Sequence, residues 1–235
     1  MSSATVHSPR INRVADWFGL SPTDVAAHLA APPDPQLPPD FAPAPGQLIL
    51  ITGPSGAGKS TLLRALRERH RRTEGLWIDL ARLRLPDRPT VDVVADALAA
   101  GHRPACDARL ATPIADADAL TIRALESLSR VGLGEVWSYL RHPTQLSDGQ
   151  RWRLRLAVGL ARADRRPGGA ILAADEFGAL LDRITARVVA RCVRRAVAGT
   201  GLSAVVATSH EDLIEALAPD VVVRCDFGRV TETRF

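Results

Sequence analysis

Three stretches of the chain are apolar without interruption and end in polar residues. QLILIT runs into the glycine-rich GPSGAGKST, AILAADEF ends in two adjacent acids, and LSAVVATSHEDL stops at Ser209-His210. Short continuous apolar runs are what a parallel sheet requires when helices cover both of its faces, because no position alternates to solvent. LWID reads as a further, shorter strand. Helical spacing follows the first run in LLRALRERH. It returns in ALESLSRVGLGEVWSYLRHPTQLSDGQ, which reads as a helix, a glycine break, a second helix and a polar loop. That loop, TQLSDGQ, breaks abruptly into RWRLRLA, where Arg151, Arg153 and Arg155 spread around a helix. Such a spread predicts a solvated or inter-subunit surface rather than a single basic track. The fold class expected is therefore α/β, with a mostly parallel sheet.

The beginning of the chain has a different texture. Residues 31–46, APPDPQLPPDFAPAPG, are too rich in proline for helix or central strand and read as a connector. They separate a leader, residues 1–30, from a main body at 47–235. In the leader, RVADWFGLSPTDVAAHLA predicts an element ending at Gly19, then a helix capped by Ser21 with Pro22 in its first turn. The spacing of Ala15, Gly19 and Val25 faintly resembles a DNA-binding helix-turn-helix, but packing against the main body is the plainer reading.

Composition narrows the class. A length of 235 residues with 46% apolar content suits one large α/β domain with its own core. Cys106, Cys192 and Cys225 are odd in number and lack metal-ligand spacing, which suits reduced, buried thiols in a cytoplasmic protein. The polar opening MSSATVHSPR is no signal peptide, and no apolar run reaches the roughly 18 residues that span a bilayer. Direct membrane insertion is not expected, and any membrane connection would come through a partner. The net charge of +4 is a modest excess, and a nucleic-acid partner has nothing further behind it. Of the 30 basic residues only Lys59 is lysine, so its place in GAGKS points to a site that needs a compact ammonium rather than a planar fork.

The chemistry sits at the ends of the apolar runs. Gly53, Pro54, Ser55, Gly56, Ala57, Gly58, Lys59, Ser60 and Thr61 form G-x-x-x-x-G-K-[ST] between a strand and a helix. In that setting glycines let backbone N–H groups approach phosphates, Lys59 reaches the β and γ oxygens, and the Ser60 hydroxyl ligates Mg²⁺. At the end of AILAADEF, a phosphate-loop site needs one carboxylate for metal and one for water, which assigns Asp175 to Mg²⁺ and Glu176 to the base. His210 closes the third run, at the carboxyl edge where α/β sheets keep their ligands.

Taken in order and at these intervals, GPSGAGKST, LSDGQR, LAADEF with LLD after it, and TSH resemble the nucleotide-binding domain of the ABC ATPase superfamily. The match covers about residues 46–228. The resemblance implies a P-loop core with an inserted helical subdomain at about 91–165, and ATP and Mg²⁺ as ligands. It implies a head-to-tail homodimer in which Ser147, Gly149 and Gln150 contact ATP held by the other subunit. Asp182 would then belong to the subunit-crossing D-loop, and His210 would sense the γ-phosphate. Some features depart from the superfamily. No glutamine lies between Gln47 and Gln145, so the Q-loop position falls to Asp79, and no adenine-stacking aromatic stands out among Trp17, Phe18 and Phe41. Phe177-Gly178 replaces the usual proline and small hydroxyl residue. DEFGALLDRITARVV with HEDLIEALAPDVVV looks similar to a group of soluble ABC-type ATPases, some fused to a predicted acetyltransferase domain. The expected role is a soluble mechanoenzyme or switch with an unknown protein partner. The alternatives are the ATP-binding subunit of a transporter or a nucleic-acid-associated ATPase.

Overall fold

The structure, a computed structural model, describes residues 8–29, 41–72, 75–100, 114–164 and 169–235. Most of the proline-rich connector and Cys106 lie outside the described residues. The chain divides into two units, Met1–Asp34 and Pro35–Phe235.

In the first unit, α1 (Pro9–Trp17) and α2 (Pro22–Leu29) follow one another across a turn at Gly19. Ser8 caps α1 by accepting from the Ile11 N–H at 3.4 Å. Ser21 opens α2 with a reciprocal pair: its hydroxyl accepts from the Asp24 N–H, and the Asp24 carboxylate accepts from the Ser21 N–H, both at 3.1 Å. Such caps satisfy helix-end donors that would otherwise have no partner. The element before Gly19 is thus a helix; Ala15 and Val25 are its buried residues and those of its neighbour, whereas Trp17 and Phe18 are exposed.

The second unit is built on a six-stranded sheet. In chain order its strands are β1 (Leu48–Thr52), β2 (Leu76–Asp79), β3 (Ala170–Ala174), β4 (Ser203–Thr208), β5 (Val221–Asp226) and β6 (Arg229–Arg234). In space they run β2-β3-β4-β1-β5-β6, parallel except for the antiparallel edge strand β6. Every residue of β1, β3 and β4 is buried, which is why those runs are apolar throughout.

Alternate residues serve opposite faces. Ile49 and Ile51 join Leu62, Leu63 and Leu66 of α3 (Lys59–His70) and Phe41 in one core cluster. Leu48 and Leu50 join a larger cluster on the other face, which holds α4 (Thr90–Ala99), α5 (Ile114–Arg130), α7 (Asp148–Ala163) and α8 (Arg183–Thr200). The short α6 (Val136–Leu140) precedes α7, and α9 (Ile214–Leu217) follows β4. Phe41 is therefore core and not free to stack on a base.

One polar tie closes the far end of the sheet. Asp220 accepts from the Leu48 N–H at 2.7 Å and from Arg194 of α8 at 2.8 Å, so the starts of β1 and β5 are bonded to a helix. Burial pushes the Asp220 carboxyl up, but these donors and the Arg194 charge outweigh it and hold the group below its ordinary range.

Candidate nucleotide site

Strand order decides which side chains meet. β4 lies between β1 and β3, Thr52 pairs with Thr208 and Ala174 with Val206, so the three strands end at the same sheet edge. The phosphate loop, the acids after β3 and the histidine after β4 all leave from that edge.

The loop after β1 is shaped by close approach. Gly53 sits at φ 142°, and a Cβ there would fall 2.1 Å from the Cys225 carbonyl oxygen of β5, a separation no side chain tolerates. Gly58 caps α3 at φ 96° with no side chain bonded over the helix start, leaving its first N–H groups facing out. The Lys59 ammonium folds back onto the loop and donates to the Gly53 and Pro54 carbonyls, 2.8 Å each. Ser60 is exposed beside it. A helix start with open N–H groups and an ammonium within the same loop is built to receive phosphate.

At the end of β3, Asp175 is half-buried and one of its oxygens accepts from the Glu176 N–H at 3.0 Å. Glu176 itself is exposed. Phe177 donates its N–H to the Ala207 carbonyl at 2.8 Å, and the Thr208 hydroxyl donates to the Phe177 carbonyl at 2.9 Å. The same hydroxyl accepts from the His210 N–H at 3.1 Å. The acid pair and the histidine are thus bonded into one frame through Thr208. Among the described residues no group of three or more His, Cys, Asp or Glu gathers around a metal position. One carboxylate, one hydroxyl and substrate phosphates are a usual set for Mg²⁺, and Asp175 and Ser60 are residues of the types that such a set would take from the protein.

The LSDGQ loop opens α7. Ser147 is its N-cap: the Ser147 hydroxyl accepts from the Gln150 N–H at 3.2 Å, and the Gln150 side chain accepts from the Ser147 N–H at 3.0 Å. This reciprocal capping box gives both residues a structural role within the chain. Gly149 lies against the segment before α8, where a Cβ would come 2.8 Å from the Leu180 carbonyl oxygen. Asp182 then caps α8, accepting from the Thr185 N–H at 2.9 Å; bonds from the Thr185 side chain and backbone hold its carboxyl below the ordinary range. Arg183 pairs with Asp212 in the turn after His210. The LSDGQ loop, which by the resemblance would be the signature loop, and the segment leading to Asp182, which would be the D-loop, therefore share one surface. Among the described hydrogen bonds and ion pairs, none joins that surface to Gly53–Thr61.

Two expectations change. Arg151 and Arg153 are not a solvated spread: Arg151 donates to the Pro143 and Leu146 carbonyls (3.0 and 2.9 Å), and Arg153 donates to the Gly132 carbonyl at 2.6 Å. Burial pushes the Arg153 guanidinium down, against the attraction of Asp182 and Glu135. These arginines clamp the chain leading into the signature loop, a role hidden in sequence because their acceptors are carbonyls. Asp79, at the Q-loop position, caps the turn after β2 through the Ala81 N–H at 3.1 Å and pairs with Arg82 and Arg67 at 3.3 and 3.9 Å. Its carboxylate is engaged by cations of its own chain.

Residues 39–176 match the family described as ABC transporter. The chain is 33% identical over 206 residues to the methionine import ATP-binding protein MetN 1 of Rhodococcus jostii (strain RHA1), covering 83% of this chain and 59% of that protein. It is 33% identical over 192 residues to the lipoprotein-releasing system ATP-binding protein LolD of Maricaulis maris (strain MCS10), covering 72% and 77%. The dimeric MJ0796 structure, a bacterial ABC transporter cassette, superposes with a TM-score of 0.61 at 22% identity, covering 83% of this chain and 88% of that one. The chain spans only 59% of the length of the methionine-import relative.

Proposed function

We propose, for a chain that belongs to the ABC transporter family, that it hydrolyses Mg-ATP between two head-to-tail copies and drives a membrane partner with the resulting opening and closing. Family members hydrolyse ATP with Mg²⁺, and the relatives named above are ATP-binding proteins of import and release systems. That favours the transporter alternative over the soluble switch expected from the sequence. No helix among the described residues is long and apolar enough to cross a membrane.

In this reading Gly53 to Thr61 hold the phosphates, Lys59 faces the β and γ oxygens, and Ser60 and Asp175 hold Mg²⁺, which neutralises charge on the phosphates when bound. Glu176 accepts a proton from the attacking water, and His210 lies against the γ-phosphate. Ser147, Gly149 and Gln150 complete the site from the second copy, with Asp182 crossing between them. The observation that carries this is that the two helix starts have different neighbours, α3 at the sheet edge where β1, β3 and β4 end and α7 against the Leu180 carbonyl, with no described hydrogen bond joining them. The test mixes two inactive variants, Lys59→Ala and Ser147→Arg. A mixed dimer has one intact composite site, so activity returns on mixing. No recovery from demonstrated heterodimers that hydrolyse independently at each site would defeat the trans arrangement.

A second reading, a soluble switch, is favoured by the engaged Asp79 and the missing Q-loop glutamine, since in the superfamily that loop couples to membrane subunits. It is also favoured by DEFGALLD with HEDLIEALAPDVVV, which looks similar to a soluble group of ABC-type ATPases, some fused to a predicted acetyltransferase domain. Capture of the Glu176→Gln protein with ATP from detergent-solubilised membranes separates the two. An integral membrane protein that co-purifies and stimulates wild-type ATPase supports transport, whereas full activity with no such protein supports the switch.

A further inference from the structure

Glu176 stands at φ 49°, a left-handed conformation that costs a non-glycine residue about 1–2 kcal/mol. Its own bonds close a local turn, the N–H donating to Asp175 at 3.0 Å and the carbonyl accepting from the Ala179 N–H at 3.1 Å, and the next residue ties that turn to β4 and to the core. Phe177 donates its N–H to Ala207 at 2.8 Å, receives the Thr208 hydroxyl on its carbonyl at 2.9 Å, and buries its ring completely. The ring sits edge-on to Trp152, centroids 5.2 Å apart at 81°. Trp152 lies on the second turn of α7, the helix that Ser147 caps, and is itself buried.

Proline, the usual superfamily residue here, fits none of this. It has no N–H to give Ala207, and it disfavours helical backbone in the residue before it, pushing that residue towards extended conformations. The departure from the family is thus a different way of holding the acid. From this geometry we infer that Phe177 is a positioning residue for hydrolysis, fixing Glu176, which follows β3, against the end of β4 and tying its placement, through Trp152, to the seating of α7. The inference rests on the reading of Glu176 as the base. It gives the signature loop a second function: an ATP contact that shifts α7 also shifts the ring against which Phe177 is seated.

The test compares Phe177→Leu, Phe177→Pro, Trp152→Leu, Trp152→Phe and the double Phe177→Leu/Trp152→Leu, reading kcat, KM, ATP affinity and thermal midpoint. Displacement of a catalytic group by about 1 Å costs up to ~10²-fold, so kcat is expected to fall roughly ten- to a hundred-fold in Phe177→Leu and Trp152→Leu, and most in Phe177→Pro, with KM and ATP affinity unchanged. Trp152→Phe, which keeps a ring for the Phe177 edge, recovers most of the Trp152→Leu loss. The double variant is no slower than the worse single one, because both break the same link. Plain core packing predicts otherwise: lower thermal midpoints with kcat intact, or losses that multiply in the double variant, and either result overturns the inference. If Phe177→Leu does not fold, the Trp152 pair decides by the same criteria. Glu176→Gln separates this from the underlying reading. An inactive Glu176→Gln beside a fully active Phe177→Leu sinks only the positioning role, whereas an active Glu176→Gln removes the base assignment itself.

Discussion

Ser147 is asked to do two things, and the structure allows them to be separated by substitution. Its hydroxyl accepts from the Gln150 N–H and so caps α7, but a hydroxyl also carries one O–H donor, and that donor is unused in the capping box. The cap fixes the oxygen and leaves the proton unused, which in the proposed dimer would let it meet a phosphate held by the other copy. Ser147→Asp keeps the cap acceptor, because aspartate is among the best N-cap residues, and its charge suits the positive helix end. Ser147→Ala removes both functions.

The two variants should therefore diverge in one measurement and agree in another. Loss of the cap costs about 1 kcal/mol, a drop of roughly 2–4 °C in the thermal midpoint for a chain of this size, so the alanine variant melts lower and the aspartate variant does not. At the phosphate the aspartate is worse than useless. It has no proton to donate, and a carboxylate ~4 Å from one phosphate charge costs about 4 kcal/mol at an effective dielectric near 20, which is ~10³ in the assembly constant for each site. Sedimentation velocity in a Glu176→Gln background with Mg-ATP, paired with thermal unfolding without nucleotide, reads both. Glu176→Gln/Ser147→Asp should melt like Glu176→Gln and remain monomeric where that parent dimerises. An undiminished dimer would mean that Ser147 faces no phosphate. A midpoint as low as that of Ser147→Ala would mean that the cap is not what Ser147 contributes to stability.

Other outcomes follow from the same geometry. Glu176→Gln should bind Mg-ATP yet turn it over roughly 10²–10⁴ times more slowly, and turnover within a few-fold of wild type would pass the base role to His210 or Asp79. Lys59→Ala should abolish nucleotide binding by equilibrium dialysis, and retained affinity would contradict the phosphate-loop assignment. The lowered Asp220 pKa contributes stability that is present above the unfolded value of about 3.9 and lost as pH falls through the folded value. Asp220→Asn should therefore be less stable at pH 7 but lose less on acidification, and denaturant unfolding series with identical pH dependence would reject that role.

What sequence reading captured here was set by local patterns. QLILIT, AILAA and SAVVAT are legible as strands because burial on both faces leaves them no polar position. The phosphate loop is legible because backbone chemistry demands glycine and lysine at fixed spacing. The edge hairpin of β5 and β6 is not legible: RVTETR is mostly exposed and carries no apolar pattern, so pairing alone makes it a strand. The arginine clamps are not legible, because a guanidinium bonded to carbonyls and one in water look alike in sequence. In sequence Phe177 is only a departure from the superfamily, since its partners, Ala207, Thr208 and Trp152, lie on elements that sequence spacing cannot bring together.

Two helix starts facing anions in one chain now have distinct physical characters. α3 begins at a glycine with no side-chain cap, so its N–H groups stay open and Lys59 adds a full charge. α7 is half closed: the capping box satisfies the Ser147 and Gln150 N–H groups, and no described hydrogen bond uses those of Asp148 and Gly149. Two backbone donors and one hydroxyl, with no cation in the loop itself, make a weak anion site on an exposed surface. Such a site gains little from free phosphate and much from a phosphate already held by another subunit, where the ordering cost has been met by stronger contacts. In the proposed dimer, that weakness would let the interface open once hydrolysis removes the γ-phosphate. A signature loop as cationic as the phosphate loop would hold the two copies together through the whole cycle.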